Sequence, residues 1–136
     1  MKKIFLLIAF ALSFAAVNAQ STMLSQYGKS VDTITNGSTK YLTSAKLIGY
    51  YKVVTIQFVV TEISGTTDGT VDIMGSMDGV NWYSLGDTTY SLGDATVNTQ
   101  HWKLIDVGEN YLRVKFTGSG THSDKVTAVI YAKNEQ

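Results

Sequence analysis

Apolar and polar residues alternate along most of the chain after residue 30, and this period of two is the pattern of half-buried β-strands. The clearest case is YYKVVTIQFVVTEI, residues 50–63, in which Ile56 and Phe58 share one face. Val53 and Val59 add apolar side chains to the other face. The pattern therefore predicts a central strand that is partly covered on both sides.

Shorter segments rich in threonine, valine and tyrosine follow the same pattern, and glycine, asparagine and aspartate separate them. They are VDTITN, TKYLTSAKLI, VDIMGS, WYSL, TTYSL, ATVNTQHWKLIDV, NYLRVKFTG and KVTAVIYAK. Helix signals are nearly absent. Seven to nine such strands predict one all-β domain over residues 31–136, an antiparallel β-sandwich of the jelly-roll type. Asn36-Gly37, between the first two strands, predicts a hairpin.

The predicted core contains both tryptophans and the inward positions of two strands. Its members are Trp82, Trp102, Ile56, Phe58, Leu112, Val114 and Phe116.

The first nineteen residues have a different pattern. Lys2 and Lys3 precede an apolar run from Ile4 to Val17, and small residues end the segment at Ala19. This is the pattern of a secretory signal peptide, and the run is shorter than the roughly 20 residues of a spanning helix. We expect residues 1–19 to be removed and residues 20–30 to form a flexible leader. The mature chain is then secreted or periplasmic and not membrane-bound, whereas the alternative is an uncleaved anchor.

Composition narrows the function. The chain has eleven basic and eleven acidic side chains, and loss of the two N-terminal lysines leaves nine against eleven, a net charge of −2. A nucleic-acid partner would need a basic face, and none is visible. The chain has no cysteine, so disulfides, thiol nucleophiles and thiolate metal sites are excluded. We expect no cofactor.

The stretch GSMDGVNW, residues 75–82, has two interpretations. Asp78-Gly79 is typical of a tight turn, and the turn would direct Trp82 into the core. Alternatively, Asp78 and Asn81 are weak candidates for a calcium site. Calcium takes six to eight oxygen ligands, and the spacing here matches no known calcium loop. The structural turn is the favoured interpretation, and no metal is predicted.

Catalysis has little support in the sequence. His122, Ser123 and Asp124 contain the residue types of a hydrolytic triad, but neighbours on one loop rarely reach triad geometry. His101, the only other histidine, lies in a strand pattern beside a tryptophan. We therefore predict no catalytic residue and no enzyme activity. A secreted hydrolase is the most distant alternative.

The last two strands suggest a binding face. If they formed a hairpin around GSGTHSD, Phe116 would lie opposite Val126 and both apolar sets would face the core. The same register sets Tyr111 opposite Tyr131 on the outer face, with Arg113 beside them. Two tyrosines and an arginine there could stack on a sugar ring or anchor a protein partner. The alternative is an ordinary cross-strand aromatic pair.

Two segments carry a resemblance to known proteins: SGTTDGTVDIMGSMDGVNWYSL and NYLRVKFTGSGTHSDKVTAVIYA. They resemble small β-sandwich structural and display proteins of Bacteroidota phages, and more weakly the jelly rolls of discoidin-like and carbohydrate-binding domains. The resemblance implies an antiparallel sandwich with a display or adhesion role, and no ligand residue transfers. The leader resembles export signals of Bacteroidota.

We therefore expect an exported, non-enzymatic module that recognises a surface glycan or a protein and that can form homo-oligomers. The alternative is a phage virion structural or decoration protein with the apolar N-terminus as a membrane anchor.

Overall fold

The structure is a computed structural model, and it describes residues 20–23 and 31–133. The predicted signal segment and residues 24–30 of the predicted leader lie outside the described residues. The described part contains no helix with the length and apolarity that a membrane crossing requires.

The described residues form ten β-strands. They are β1 (Gln20–Met23), β2 (Val31–Thr35), β3 (Thr39–Thr43), β4 (Tyr51–Gly65), β5 (Gly69–Ser76), β6 (Tyr83–Ser84), β7 (Tyr90–Leu92), β8 (Val97–Val107), β9 (Tyr111–Gly118) and β10 (His122–Lys133). The first of these lies in the segment predicted as a flexible leader, where four residues pair with the C-terminal strand.

The strands build two antiparallel sheets that pack face to face. The first sheet has the order β1-β10-β4-β8, and β2 also pairs with β10. The second has the order β3-β9-β5-β6, and β7 also pairs with β5. The predicted class, an all-β antiparallel sandwich, is confirmed. The long strand β4 lies between β10 and β8, so it is central as its two apolar faces indicate.

The core lies between the sheets and follows the alternation in the sequence. Five of the predicted core residues are fully buried: Ile56, Phe58, Leu112, Val114 and Phe116. Trp102 is partly buried and packs against this cluster. Phe58 joins the layers, because its ring lies 5.2 Å from that of Trp102 in its own sheet and 6.1 Å from that of Phe116 in the other.

Both predicted hairpins are wrong, and for the same reason. The turn at Asn36-Gly37 connects β2, which pairs with β10, to β3, which pairs with β9, so the chain passes from one sheet to the other. The chain likewise crosses between sheets after β9, which pairs with β3 and β5 while β10 pairs with β4. Two consecutive strands can both direct their apolar side chains into the core whether they pair in one sheet or lie in opposite sheets. The pattern therefore does not choose between them.

Candidate functional site

The GSMDGVNW loop is closed by hydrogen bonds within itself. Asp78 Oδ1 accepts the backbone N–H groups of Val80 at 2.8 Å and Asn81 at 2.7 Å. Ser76 Oγ accepts the Gly79 N–H at 2.8 Å and donates to Asp78 Oδ1 at 3.0 Å. The bonds from Asn81, followed by the one from Val80, hold the pKa of the Asp78 carboxyl well below its usual range. The loop therefore holds its conformation through its own hydrogen bonds, and these bonds accommodate the negative charge of Asp78.

The same bonds give the two weak metal candidates a structural role. Asn81 Nδ2 donates to Asp78 Oδ2 at 2.7 Å, so both carboxylate oxygens accept bonds from the loop and the amide nitrogen, not its oxygen, faces the acid. Residues 20–23 and 31–133 contain no group of three or more His, Cys, Asp or Glu side chains that could hold a metal ion.

Trp82 lies on the outer face of the second sheet and not in the core. Ser84 pairs with Met74, which faces outward on β5, and Trp82 is two residues before Ser84, so it shares the outward direction. Its side chain is half-buried, and Nε1 donates to the Gly79 carbonyl at 3.2 Å. The turn therefore aims the tryptophan at a surface, which corrects the prediction of a core residue.

At that surface Arg113 is held between two aromatic rings. Its Cζ lies 4.1 Å from the ring centroid of Tyr41 and 4.1 Å from that of Trp82. Its Nε and Nη2 are 3.4 and 3.3 Å from the sulfur of Met74. We call Tyr41, Met74, Trp82 and Arg113 the arginine cradle. Cation–π contacts of this kind contribute about 0.5–1 kcal/mol each at exposed sites.

Tyr111 lies beside the cradle. The Cβ of a side chain added at Gly79 would lie 3.3 Å from the Tyr111 ring, so the ring packs against the loop at this glycine. Met77 and Val80 project from the same loop with 57% and 78% of their surfaces exposed. The cradle therefore continues into a partly apolar rim.

The cradle carries an uncompensated positive charge. Partial burial lowers the pKa of the Arg113 guanidinium, although a charge interaction with Tyr41 opposes this, and arginine remains protonated. Asp72, an acid on the same face, accepts bonds from Ser84 and Thr88. In the part of the chain that the structure describes, no carboxylate forms an ion pair with Arg113.

The predicted trio of binding residues is only partly brought together. Tyr111 and Arg113 lie on the same face of β9, whereas Tyr131 lies on β10 in the other sheet, where it pairs with Thr55 and Ser21. Sequence reasoning missed Tyr41 and the outward role of Trp82. The direction of Trp82 can be read from the strand period only once the pairing of β6 with β5 is known.

The three residues with the types of a hydrolytic triad, His122, Ser123 and Asp124, are not arranged as a triad. His122 Nδ1 lies 2.8 Å from Asp124 Oδ2, and both side chains are completely buried. Thr67 Oγ1 donates to the other oxygen of Asp124 at 3.0 Å. Ser123 lies between the two on the opposite face of β10, so it does not join them. The pair sits where the chain enters β10.

No protein-family model matches this chain, and no curated protein matches its sequence. Solved structures share its fold. Tailspike protein 4 of bacteriophage CBA120 matches with a TM-score of 0.54 and 11% identity over 85% of this chain. A capsid structure of equine rhinitis A virus matches with a TM-score of 0.53 and 12% identity, over 90% of this chain and 76% of that chain.

A third similar structure contains the CBM22-1 and GH10 modules of a Clostridium thermocellum xylanase in complex with xylohexaose. Its TM-score is 0.51 at 12% identity, over 89% of this chain. The chain spans 19% of the tailspike chain and 25% of the xylanase chain. At these identities the likeness shows the β-sandwich fold alone, and the site rests on this chain's own geometry.

Proposed function

We propose that this protein is an exported, non-enzymatic recognition module that binds acidic surface glycans through the arginine cradle. One observation carries the proposal: Arg113 is fixed between two aromatic rings and has no acidic partner among the described residues. Tyr41, Trp82 and the sulfur of Met74 hold the guanidinium in place, and no carboxylate among the described residues neutralises its charge.

The geometry favours a particular ligand chemistry. The ring centroids of Tyr41 and Trp82 each lie 4.1 Å from the guanidinium carbon, and Nε and Nη2 donate to the sulfur of Met74. A ligand is therefore expected to bind through Nη1 and Nη2, or to displace the thioether, which is a weak acceptor. The edge of a guanidinium is a planar fork of N–H donors that matches a carboxylate or a sulfate with two parallel hydrogen bonds. The adjacent tyrosine and the exposed apolar rim supply surface for the C–H faces of sugar rings.

Two further features support this role. The N-terminal pattern indicates export, which would bring the module to cell-surface or extracellular glycans. The fold is also found in a structure that includes a xylanase's modules with a bound xylo-oligosaccharide. Neither feature identifies the ligand, so the ligand class rests on the chemistry of Arg113.

We expect Arg113→Met to weaken binding of an acidic oligosaccharide at least about tenfold. Hydrogen bonds to a charged group contribute about 1.5–3 kcal/mol, and 1.4 kcal/mol corresponds to a factor of ten in the dissociation constant. Methionine keeps the unbranched side chain and removes the charge and the donors. A glycan array containing uronate and sulfated sugars selects the probe, and titration calorimetry measures the affinity.

The matched control is Lys125→Met, which removes an exposed cation from the first sheet. Its affinity for the same oligosaccharide should stay within about twofold of that of the parent protein. If both variants lose affinity equally, the binding is diffuse charge attraction and the cradle is not the site. Unchanged binding in a folded Arg113→Met protein would also remove the cradle from consideration.

A structural or decoration role in a virion is the second candidate. It is favoured by the long edge strand β8, whose outer edge has no partner among the described residues. An exposed edge of this kind is a template for pairing with another chain. The neighbouring genes test this candidate: capsid, portal and tail genes beside the coding sequence would support it.

A further inference from the structure

The strand β8 presents an unusually long free edge. It is eleven residues long, and in residues 20–23 and 31–133 it pairs only with β4. The pairing keeps one register and omits Asp106, whose φ is positive at 56°. The facing edge of the second sheet is short, because β6 and β7 have two and three residues. An open groove of about 610 Å³, lined by Leu85, Leu104 and Ile105 among others, runs beside the strand.

The hydrogen bonds of β4 show which β8 residues point to the free edge. The Glu62 N–H donates to the Thr96 carbonyl at 3.0 Å. These two residues lie opposite each other, one step beyond the Thr61–Val97 pair, so they form a hydrogen-bonded pair. Thr61–Val97 is therefore a non-hydrogen-bonded pair, and such pairs alternate with hydrogen-bonded ones along antiparallel strands. It follows that the backbone groups of odd-numbered β8 residues, such as Thr99, His101 and Lys103, point away from β4. Among them, the His101 N–H donates to the side-chain oxygen of Gln100 at 3.0 Å, a bond that a pairing strand would replace.

The usual protection of an edge is weak here. Edge strands are commonly blunted by proline, by bulges, by shortness or by several lysines. The chain contains no proline, and β8 contains one lysine, Lys103. On the outer face of the sheet, Val97 and Ile105 are 51% and 64% exposed. An edge with these properties favours pairing with another strand.

We propose that a second copy of this chain pairs with β8 in antiparallel fashion, about a two-fold axis at His101. Thr99 then lies opposite Lys103 of the second copy, and Val97 lies opposite Ile105 of the second copy. On the inner face, Gln100 lies opposite Trp102 of the second copy. The two first sheets become one continuous ten-stranded sheet.

Neighbouring registers are less favourable. An axis at Trp102 sets His101 opposite the lysine of the second copy, and an axis at Lys103 sets the two lysines opposite each other. An axis at Gln100 sets Val97 opposite that lysine. The axis at His101 instead pairs the two exposed apolar side chains with each other and the lysine with a neutral threonine, which is the better cross-strand arrangement.

The dimer leaves the arginine cradles free, because they lie on the second sheet while the interface is formed by the first. Two cradles in one particle would bind a repetitive surface with greater avidity than one. The dimer itself does not depend on the proposed ligand.

Disulfide trapping tests the register directly, because the parent chain has no cysteine. Residues directly opposite in a hydrogen-bonded pair have Cα atoms about 5.5 Å apart, within disulfide range. We expect Val97→Cys combined with Ile105→Cys to give a covalent dimer on mild oxidation, reversed by a reductant. The two positions are about 26 Å apart within one strand, so they cannot join within a chain.

The single variants Val97→Cys and Ile105→Cys should remain unlinked, since like positions of the two copies are also about 26 Å apart. The matched control is Ile63→Cys with Val129→Cys, two exposed apolar positions away from the edge. The parent protein should have twice the monomer mass by native mass spectrometry. A monomeric parent, or linking of the single or control variants as efficient as that of the pair, would overturn the proposal.

Discussion

Replacing Asp124 by alanine is expected to lower the free energy of unfolding by about 3–5 kcal/mol, because it leaves a buried polar partner unpaired. The substitution leaves His122, which is completely buried, without the carboxylate 2.8 Å from its Nδ1. It also removes the acceptor of the Thr67 hydroxyl. A domain of this size has about 5–15 kcal/mol of stability, so the loss should be evident in urea denaturation.

Two further variants distinguish the loss of the buried pair from the general effect of removing an acidic side chain. Asp94→Ala removes an exposed acid and should change the stability by less than about 0.5 kcal/mol. The double variant His122→Leu with Asp124→Val replaces the pair by apolar groups and should recover part of the loss. Equal denaturation midpoints for Asp124→Ala and Asp94→Ala would show that the pair contributes nothing.

Phe58→Ala should destabilise the protein by a similar amount, about 3–5 kcal/mol. The side chain is fully buried, and its ring contacts Trp102 of its own sheet and both Tyr90 and Phe116 of the opposite sheet. Its removal leaves a cavity between the two layers that a rigid sandwich cannot close.

The neighbouring position supplies the control for this prediction. Gln57 faces outward on the same strand and is exposed, so Gln57→Ala should change the stability by less than about 0.5 kcal/mol. Phe58→Leu should lose less than Phe58→Ala because it leaves a smaller cavity. A Phe58→Ala protein that melts at the parent's temperature would contradict the placement of the core.

The alternation of apolar and polar residues predicted which side chains are buried. The period of two on β4 and β9 identifies the buried side chains because burial depends only on the direction of each residue. Sheet membership depends on which strands pair, and this is a long-range choice. Leu112 and Ile130 face the same core, but they belong to different sheets. In the predicted hairpin they would have faced the core from a single sheet. The alternation is identical in both cases.

The candidate site was predictable to the same extent. The alternation correctly placed Tyr111 and Arg113 on an outward face of β9. The partners of Arg113 come from β3 and from the loop after β5, at distances in sequence that no local pattern reports. Trp82 shows the limit most clearly, since its large apolar side chain indicated burial while its pairing partner directs it outward.

The fluorescence of Trp82 tests the central claim most directly. The chain has two tryptophans, so Trp102→Phe leaves Trp82, which stacks on Arg113, as the single reporter. We expect a saturable change in its emission on titration with an acidic oligosaccharide, no change with the neutral oligosaccharide of the same length, and loss of the response when Arg113→Met is added. An acidic ligand that binds with unchanged Trp82 emission, or a response that survives Arg113→Met, would contradict recognition at the arginine cradle.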